Sequence, residues 1–186
     1  MNKSVASLLT LGALLAAPMA AQAVTYTFNA ALNGASEATP NASLGTGTAI
    51  LSYNDMGTIG TGDDSFIFSM FASGMSGSAT AAHIHMAPVG VAGPVIQGLG
   101  AAQGFAFLAL PGGVLIGGGP LPAPSPTFLG TLTAGLGYVN VHTALFPGGE
   151  VRGQLIQVTA VPEPSTYAML LAGIAALGFV ARRRQS

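Results

Sequence analysis

The chain has 186 residues, of which half are hydrophobic and 6% are charged, and its formal net charge is −1. It contains no cysteine, which excludes disulfides, thiol catalysis and every metal site that needs thiolate ligands. Residues 24–160 carry five acidic residues, one arginine and no lysine, so this segment lacks the basic surface that nucleic-acid binding requires.

The beginning of the chain has the order of features found in a secretory signal peptide. Lys3 is followed by an apolar stretch over Val5–Ala17, and Ala21 and Ala23 occupy the −3 and −1 positions of an A-x-A cleavage site. The apolar stretch is too short to span a bilayer of about 30 Å. We therefore predict a signal helix here, cleavage after Ala23, and a mature chain that begins at Val24.

Residues 24–160 have the pattern of one all-β domain. Apolar residues alternate with polar ones, as in strands that have one buried face. The alternating runs cover Tyr26–Leu32, Ala49–Tyr53, Phe66–Met70 and Phe105–Ala109, with turn sequences between them. About eight strands and no convincing helix predict an antiparallel, Greek-key-like β-sandwich of the superoxide-dismutase or immunoglobulin type. The four prolines of Gly117–Pro126 predict an exposed loop.

Several polar residues are expected on the outer face of this sandwich. In an extended strand, His83 and His85 point to the face opposite Ile84, and His142 likewise points away from the side of Val141. If the carrying strands are neighbours, the imidazoles join other polar side chains in one cluster. The predicted cluster consists of His83, His85, His142, Asn140, Glu150 and Arg152.

Two interpretations of this cluster remain open. Three imidazoles with an open coordination position suit zinc or copper. The copper/zinc superoxide dismutase sandwich is similar in its H-x-H strand and later Val-His strand, although this chain lacks an evident bridging histidine and the dismutase cysteines. In the structural interpretation the histidines bond to backbone and to Glu150, and a Glu150–Arg152 pair fixes the last turn. Separately, Asp55, Asp63 and Asp64 form either a calcium site or a solvated turn.

Three stretches carry a recognisable family pattern. They are Phe28–Glu37 (FNAALNGASE), Ala81–Pro88 (AAHIHMAP), and Tyr138–Thr143 (YVNVHT) followed by Pro147–Leu155 (PGGEVRGQL). In this order they resemble the CHRD domain, which was named from chordin and is common in exported bacterial proteins. The resemblance implies an extracellular binding or structural module without a general catalytic activity.

The end of the chain has its own pattern. A proline-bearing hexamer, an uncharged stretch over Tyr167–Ala181 and an arginine cluster follow one another. The residues that define the pattern are Pro162, Glu163 and Pro164, then Arg182, Arg183 and Arg184. As a helix, the uncharged stretch would rise about 22 Å, somewhat less than the bilayer core. The three arginines favour a cytoplasmic C-terminus.

These three parts resemble the PEP-CTERM sorting signal of Gram-negative bacteria. The resemblance implies transient insertion of a transmembrane helix in the inner membrane, processing by an exosortase-type enzyme near the Pro-Glu-Pro sequence, and release to the cell surface or extracellular matrix. A permanent tail anchor is the alternative.

The sequence therefore predicts a signal peptide over 1–23, a CHRD-like β-sandwich over 24–160 and a sorting tail over 161–186. It predicts an exported, non-enzymatic binding or structural protein, with exopolysaccharide or surface proteins as further partners and no nucleic acid. The alternative function is a zinc- or copper-binding protein or a dismutase-like enzyme that uses the three histidines.

Overall fold

The computed structural model describes residues 23–59, 62–158 and 164–184. The predicted signal helix and Ala21 lie outside these residues, as do Pro162 and Glu163 of the sorting motif. The described strands are β1 Thr25–Asn33, β2 Thr46–Asn54, β3 Ser65–Ser73, β4 Ala79–Met86, β5 Val95–Gly98, β6 Ala106–Leu110, β7 Gly113–Pro122, β8 Gly137–Thr143, β9 Val151–Gln154 and β10 Ile156–Val158.

Within the described residues, these strands form one antiparallel sheet in the order β5-β4-β8-β9-β1-β2-β3-β7-β6, and β10 pairs with β1. Buried side chains from both ends of this sheet belong to one hydrophobic core, so the sheet is curled into a half-barrel. The predicted all-β, antiparallel fold is confirmed. The finer assignment to a two-sheet sandwich stays a prediction, because the strands are hydrogen-bonded into one continuous sheet.

The alternation of apolar residues decides which face of each strand packs inward. Phe28 on β1, Leu51 on β2 and Phe68 on β3 are fully buried. Each side chain of this kind contributes about 1.5–3 kcal/mol when it is removed from water. The predicted parity of β1, β2 and β3 is therefore confirmed. The run at Phe105–Ala109 departs from it, because Phe107 is only half-buried and Ala109 is exposed.

The proline-rich segment is in part a strand, which corrects the loop predicted over Gly117–Pro126. β7 continues to Pro122 and pairs with β3 along most of its length, while β6 covers it only as far as Gly117. Beyond Gly117 one edge of β7 is open. Proline lacks a backbone donor, and an edge without a neighbouring strand needs none, so Pro120 and Pro122 are tolerated there.

Two α-helices occur in the described residues: α1 over Phe128–Thr133 and α2 over Pro164–Arg183. α1 was not predicted by the sequence pattern, which indicated no helix in the domain. Phe128, Leu129 and Leu132 of α1 are buried in the core. The Phe128 ring lies 5.4 Å from that of Phe66. A helix of six residues is stable only through such packing, which explains why its own sequence gives no clear signal.

Candidate metal centre

His83 and His85 of β4 converge with His142 of β8 on the outer face of the sheet. β4 and β8 are hydrogen-bonded neighbours, with His85 opposite Tyr138 and His142 opposite Ala81. The ring centres of His83 and His142 are 5.0 Å apart, and those of His83 and His85 are 5.6 Å apart. Each histidine offers one ring nitrogen, and these three nitrogens all lie within 4.8 Å of one another.

The apolar neighbours of the histidines have the parity that the sequence predicts. Ile84, Val139 and Val141 are fully buried. Alternation along the strands therefore places the imidazoles on the opposite face. They are half-buried on that face because the loops that carry Gly93 and Pro147 lie beside them.

Backbone carbonyls fix two of the three rings. Nδ1 of His85 lies 2.9 Å from the Gly93 carbonyl oxygen, and Nδ1 of His142 lies 3.0 Å from the Pro147 carbonyl oxygen. A carbonyl only accepts, so both rings carry a proton on Nδ1, and in the neutral form of each ring Nε2 keeps its lone pair. Nδ1 of His83 lies 3.1 Å from Nε2 of His142 and is the donor between these two rings.

The second ring nitrogen of His85 has a different environment. Nε2 of His85 is buried and has no hydrogen-bond partner among the residues that the structure describes. Burial is the main cause that lowers the pKa of His83 and of His85 below the usual value, and the neighbouring imidazoles add to it. The neutral form of both rings is therefore favoured, which leaves an unused lone pair of His85 at the cluster.

The loop over residues 87–94, which we call the 87–94 loop, is held at its ends by backbone hydrogen bonds and along its length by side chains from other strands. Arg152 donates to the carbonyl oxygens of Val91 at 2.7 Å and Pro88 at 2.9 Å. Gln154 donates to the Ala87 carbonyl at 3.0 Å. The backbone N–H of Gly93 donates to the Tyr138 hydroxyl at 3.0 Å.

Gly93 is the residue of the 87–94 loop whose carbonyl oxygen accepts the hydrogen bond from His85. A Cβ at this position would lie 2.0 Å from the Met86 carbonyl oxygen, so only glycine fits without a backbone shift. The Arg152 guanidinium carbon lies 3.4 Å from the centre of the Tyr138 ring, which stacks on His85 with 5.0 Å between the ring centres. The orientation of His85 thus depends on a chain of contacts through Gly93, Tyr138 and Arg152.

The family model of the CHRD domain matches residues 28–155. This range includes β4 and β8, which carry the histidines, the 87–94 loop and β9, which carries Arg152. The chain belongs to the CHRD domain family. The model of the PEP-CTERM protein-sorting motif matches residues 160–184. No curated protein and no solved structure matches the chain.

Glu150 of the CHRD domain lies apart from the histidines. It is fully buried and accepts hydrogen bonds from Ser43 Oγ at 2.6 Å, from Ser76 N at 2.6 Å, from Ser76 Oγ at 2.7 Å and from Thr143 Oγ1. Burial would raise its pKa, but these hydrogen bonds together hold the pKa below the usual value. The predicted bonds from Glu150 to the histidines and to Arg152 do not occur in the described part of the chain.

Arg152 and Asn140 do lie on the same face as the histidines, but both are buried. The donors of Arg152 are used by the 87–94 loop and by Gln154. Its guanidinium is therefore not exposed to steer an anion toward the three imidazoles.

Glu37 is a buried acid that the sequence pattern did not indicate as a site residue. One of its oxygens lies 3.5 Å from Nδ2 of Asn140, and the other has no hydrogen-bond partner in the described part of the chain. Burial raises the pKa of Glu37 to about 7, although the charge of Arg152 lowers it in part. Gly149 brings backbone close to this pair, since a Cβ there would lie 2.7 Å from Glu37 Oε1. The only sequence signal for Glu37 was its place in the first family motif, Phe28–Glu37.

The acidic turn residues do not gather into a calcium site. Asp64 is buried and accepts from the Tyr53 hydroxyl at 2.6 Å. Asp55 is buried and accepts from the backbone N–H of Val24 at 2.7 Å and of Gly57 at 2.9 Å. Among the described residues, the three histidines form the one group whose ligand atoms converge as a metal site requires.

A cleft of about 580 Å³ opens next to the histidine cluster. His83 lines it together with Thr80 of the same strand, Val95 of β5 and Phe107 of β6. Gln103 contributes an exposed polar side chain to the same cleft. The cleft gives small molecules a route to the side of the cluster formed by His83.

The sorting motif coincides with α2, which begins at Pro164 and has Arg182 and Arg183 in its last turn. Positive side chains at a helix C-terminus interact favourably with the helix dipole.

In the described residues no helix combines the length and apolar character needed to cross a bilayer, so the predicted transmembrane helix is not supported. The uncharged stretch that suggested it is shorter than the bilayer core. The motif implies export to the cell envelope or surface and processing by an exosortase-type system.

Proposed function

We propose that this protein is a non-catalytic binding or structural component of the cell surface or extracellular matrix of a Gram-negative bacterium. The observation that carries the proposal is the order of the two matched segments. A CHRD domain over residues 28–155 is followed directly by a sorting motif over residues 160–184. Neither family is an enzyme family, so the combination favours a displayed module whose partners are exopolysaccharide or other surface proteins.

The use of the polar side chains supports a structural or binding role. Glu150 accepts hydrogen bonds from three other residues, Arg152 holds the 87–94 loop, and Asp64 is bonded to Tyr53. Buried polar groups of this kind are costly unless they are paired, and here they join loops to strands. Glu150, Asp64 and Arg152, which a hydrolase or a dismutase could employ, are committed to holding the fold.

The sorting step is tested by replacing Pro162, Glu163 and Pro164 with alanine in a host that has an exosortase. The wild-type protein should appear at the surface or in the medium, and mass spectrometry should show that it has lost its C-terminal arginines. The triple variant should stay with the cells and keep those residues. Gln103→Ala, which alters only an exposed domain residue, is the matched control and should be sorted like the wild type. Equal surface delivery of the triple variant would refute the proposal.

The binding role is tested with the surface-delivered protein. Matrix isolated from a strain that lacks this protein should retain added wild-type protein during sedimentation. A protein that stays in the supernatant with every matrix and surface fraction would show that the module does not bind there. Turnover of matrix components by the purified protein would contradict the non-catalytic part of the proposal.

A further inference from the structure

We propose that His83, His85 and His142 bind one transition-metal ion on the outer face of the domain, with copper(II) preferred to zinc(II). The ligand atoms are Nδ1 of His83 and Nε2 of His85 and His142. This inference goes beyond surface display and does not depend on how the protein is sorted. It rests on the positions of the three rings, on the contacts that orient them and on a buried nitrogen without a partner.

The orienting contacts are those of metal-binding histidines. A ligating imidazole commonly donates its second N–H to a backbone carbonyl, which fixes the tautomer and aims the other nitrogen at the ion. His85 and His142 make this bond, to Gly93 and Pro147 respectively. Their Nε2 atoms therefore present lone pairs to the cluster without any proton having to be displaced from them.

The unpartnered Nε2 of His85 is the second observation. A buried polar atom without a hydrogen bond costs free energy, and native structures rarely keep one without a reason. This nitrogen belongs to the one group of described residues whose ligand atoms converge. A metal ion at the cluster would satisfy it, which a purely structural interpretation of the histidines does not do.

The distances suit one ion. Two nitrogens that are each about 2.0–2.1 Å from a metal lie about 2.9 Å apart at a right angle and about 3.4 Å apart at the tetrahedral angle. His83 Nδ1 and His142 Nε2 are 3.1 Å apart, between these limits. One ring nitrogen of each histidine lies within 4.8 Å of the other two, so the rings must move closer together to share one ion. Binding requires His83 to move its proton from Nδ1 to Nε2.

The donor set selects the class of ion. Neutral imidazoles are ligands for copper and zinc, whereas calcium and magnesium require oxygen ligands. For a fixed set of nitrogen donors, copper(II) binds more tightly than zinc(II) in the usual affinity order. Because His83 also lines the 580 Å³ cleft, the ion would keep a coordination position that water or a small ligand can reach from solution.

Titration of the purified exported protein with copper(II) chloride, followed by calorimetry and elemental analysis, tests this proposal. We expect one copper per chain, and weaker binding of zinc chloride at the same place. His83→Ala, His85→Ala and His142→Ala should each lower copper affinity by more than the roughly 10- to 100-fold that loss of an outer-shell partner costs. Gln103→Ala removes a polar side chain from the same cleft and should bind copper like the wild type.

A spectroscopic measurement on the wild type keeps the test decisive if the alanine variants fail to fold. The copper(II) electron paramagnetic resonance spectrum should show coupling to three nitrogens. Absence of stoichiometric binding, a spectrum without nitrogen coupling, or full affinity in folded histidine variants would overturn the proposal. These results would leave surface delivery intact, because fractionation measures delivery separately.

Discussion

Arg152 lies over the ring of Tyr138, with its guanidinium carbon 3.4 Å from the centre of that ring. The same ring stacks on His85, and the same guanidinium holds the carbonyls of Pro88 and Val91. A single buried cation therefore joins strand β9, the 87–94 loop and the histidine cluster. The stability of the domain and the geometry of the candidate metal centre depend on shared contacts.

Arg152→Lys should lower the free energy of unfolding by about 2–4 kcal/mol, because lysine cannot donate to two carbonyls in a planar fork or stack flat on a ring. Urea denaturation followed by circular dichroism measures this change. In the unprocessed chain, Arg182→Lys makes the same substitution at an exposed position of α2 and should leave the unfolding free energy unchanged. A loss of less than about 0.5 kcal/mol in the Arg152 variant would show that the contacts of Arg152 with Tyr138 and the 87–94 loop are not important for stability.

Glu37 makes stability depend on pH in the neutral range. Because burial raises its pKa to about 7 from an ordinary value of 4.5, the folded domain keeps a proton that the unfolded chain releases. The contribution of this proton to the free energy of unfolding is fully present below pH 4.5 and is lost as pH rises through 7. Between pH 4.5 and 8, wild type should lose up to about 3 kcal/mol relative to Glu37→Gln. Parallel stability profiles for the two proteins would contradict this assignment.

Glu150 should make the stability of the domain depend on pH in the direction opposite to Glu37. Hydrogen bonds from Ser43, Thr143 and Ser76 hold its folded pKa below 4.5 against the effect of burial, so its stabilisation is present above that pH and is lost as pH falls through the folded pKa. Glu150→Gln should cost about 2–4 kcal/mol at pH 7, since an amide nitrogen cannot accept from the hydroxyl groups. The difference from wild type should shrink in acid. A constant difference from pH 7 to pH 3 would exclude the charged form as the stabilising one.

Side-chain parity is the part of this site that sequence could predict. Alternation along β4 predicts His83 and His85 opposite Ile84, and alternation along β8 predicts His142 on the same face as Asn140. The pairing of β4 with β8 then brings the three histidines together. That parity is local and follows from the geometry of a strand. The all-β class and the inward faces of β1, β2 and β3 were predictable for the same reason.

The partners of the buried charges could not be predicted in this way. Ser43 and Ser76 reach Glu150 across more than seventy residues of sequence, from loops whose course follows from turn geometry rather than from periodicity. The sequence therefore assigned Glu150 to the histidine cluster. α1 and the proline-bearing end of β7 were missed because core packing in one case and an open sheet edge in the other overrode the local pattern.

The predicted cleavage after Ala23 would create a new charge next to a buried acid. The backbone nitrogen of Val24 lies 2.7 Å from Asp55 Oδ1, so a mature N-terminus at Val24 would be an ammonium group paired with this carboxylate. A charge-assisted hydrogen bond of this kind contributes about 1.5–3 kcal/mol. A chain that begins at Val24 should therefore unfold at a higher temperature than one that keeps Ala23.

Asp55→Asn provides the control for this comparison. In that background the extra Ala23 should cost much less, because the ammonium group no longer has a carboxylate partner. Calorimetry of the four proteins measures the coupling between the terminus and Asp55. A coupling free energy near zero would mean that the ammonium charge adds nothing to the neutral hydrogen bond.

Tyr138→Phe separates the geometry of the candidate metal centre from the stability of the domain. The substitution keeps the ring that stacks between His85 and Arg152 but removes the hydroxyl that accepts from the Gly93 N–H. Gly93 would then hold its carbonyl less firmly against His85 Nδ1, and copper affinity should fall by about 10-fold, as expected for an outer-shell contact. Calorimetric titration measures the affinity, and urea denaturation checks that most stability is kept. If copper affinity is unchanged while the His85 variant has lost it, the Tyr138 hydroxyl is not needed to hold Gly93 against His85.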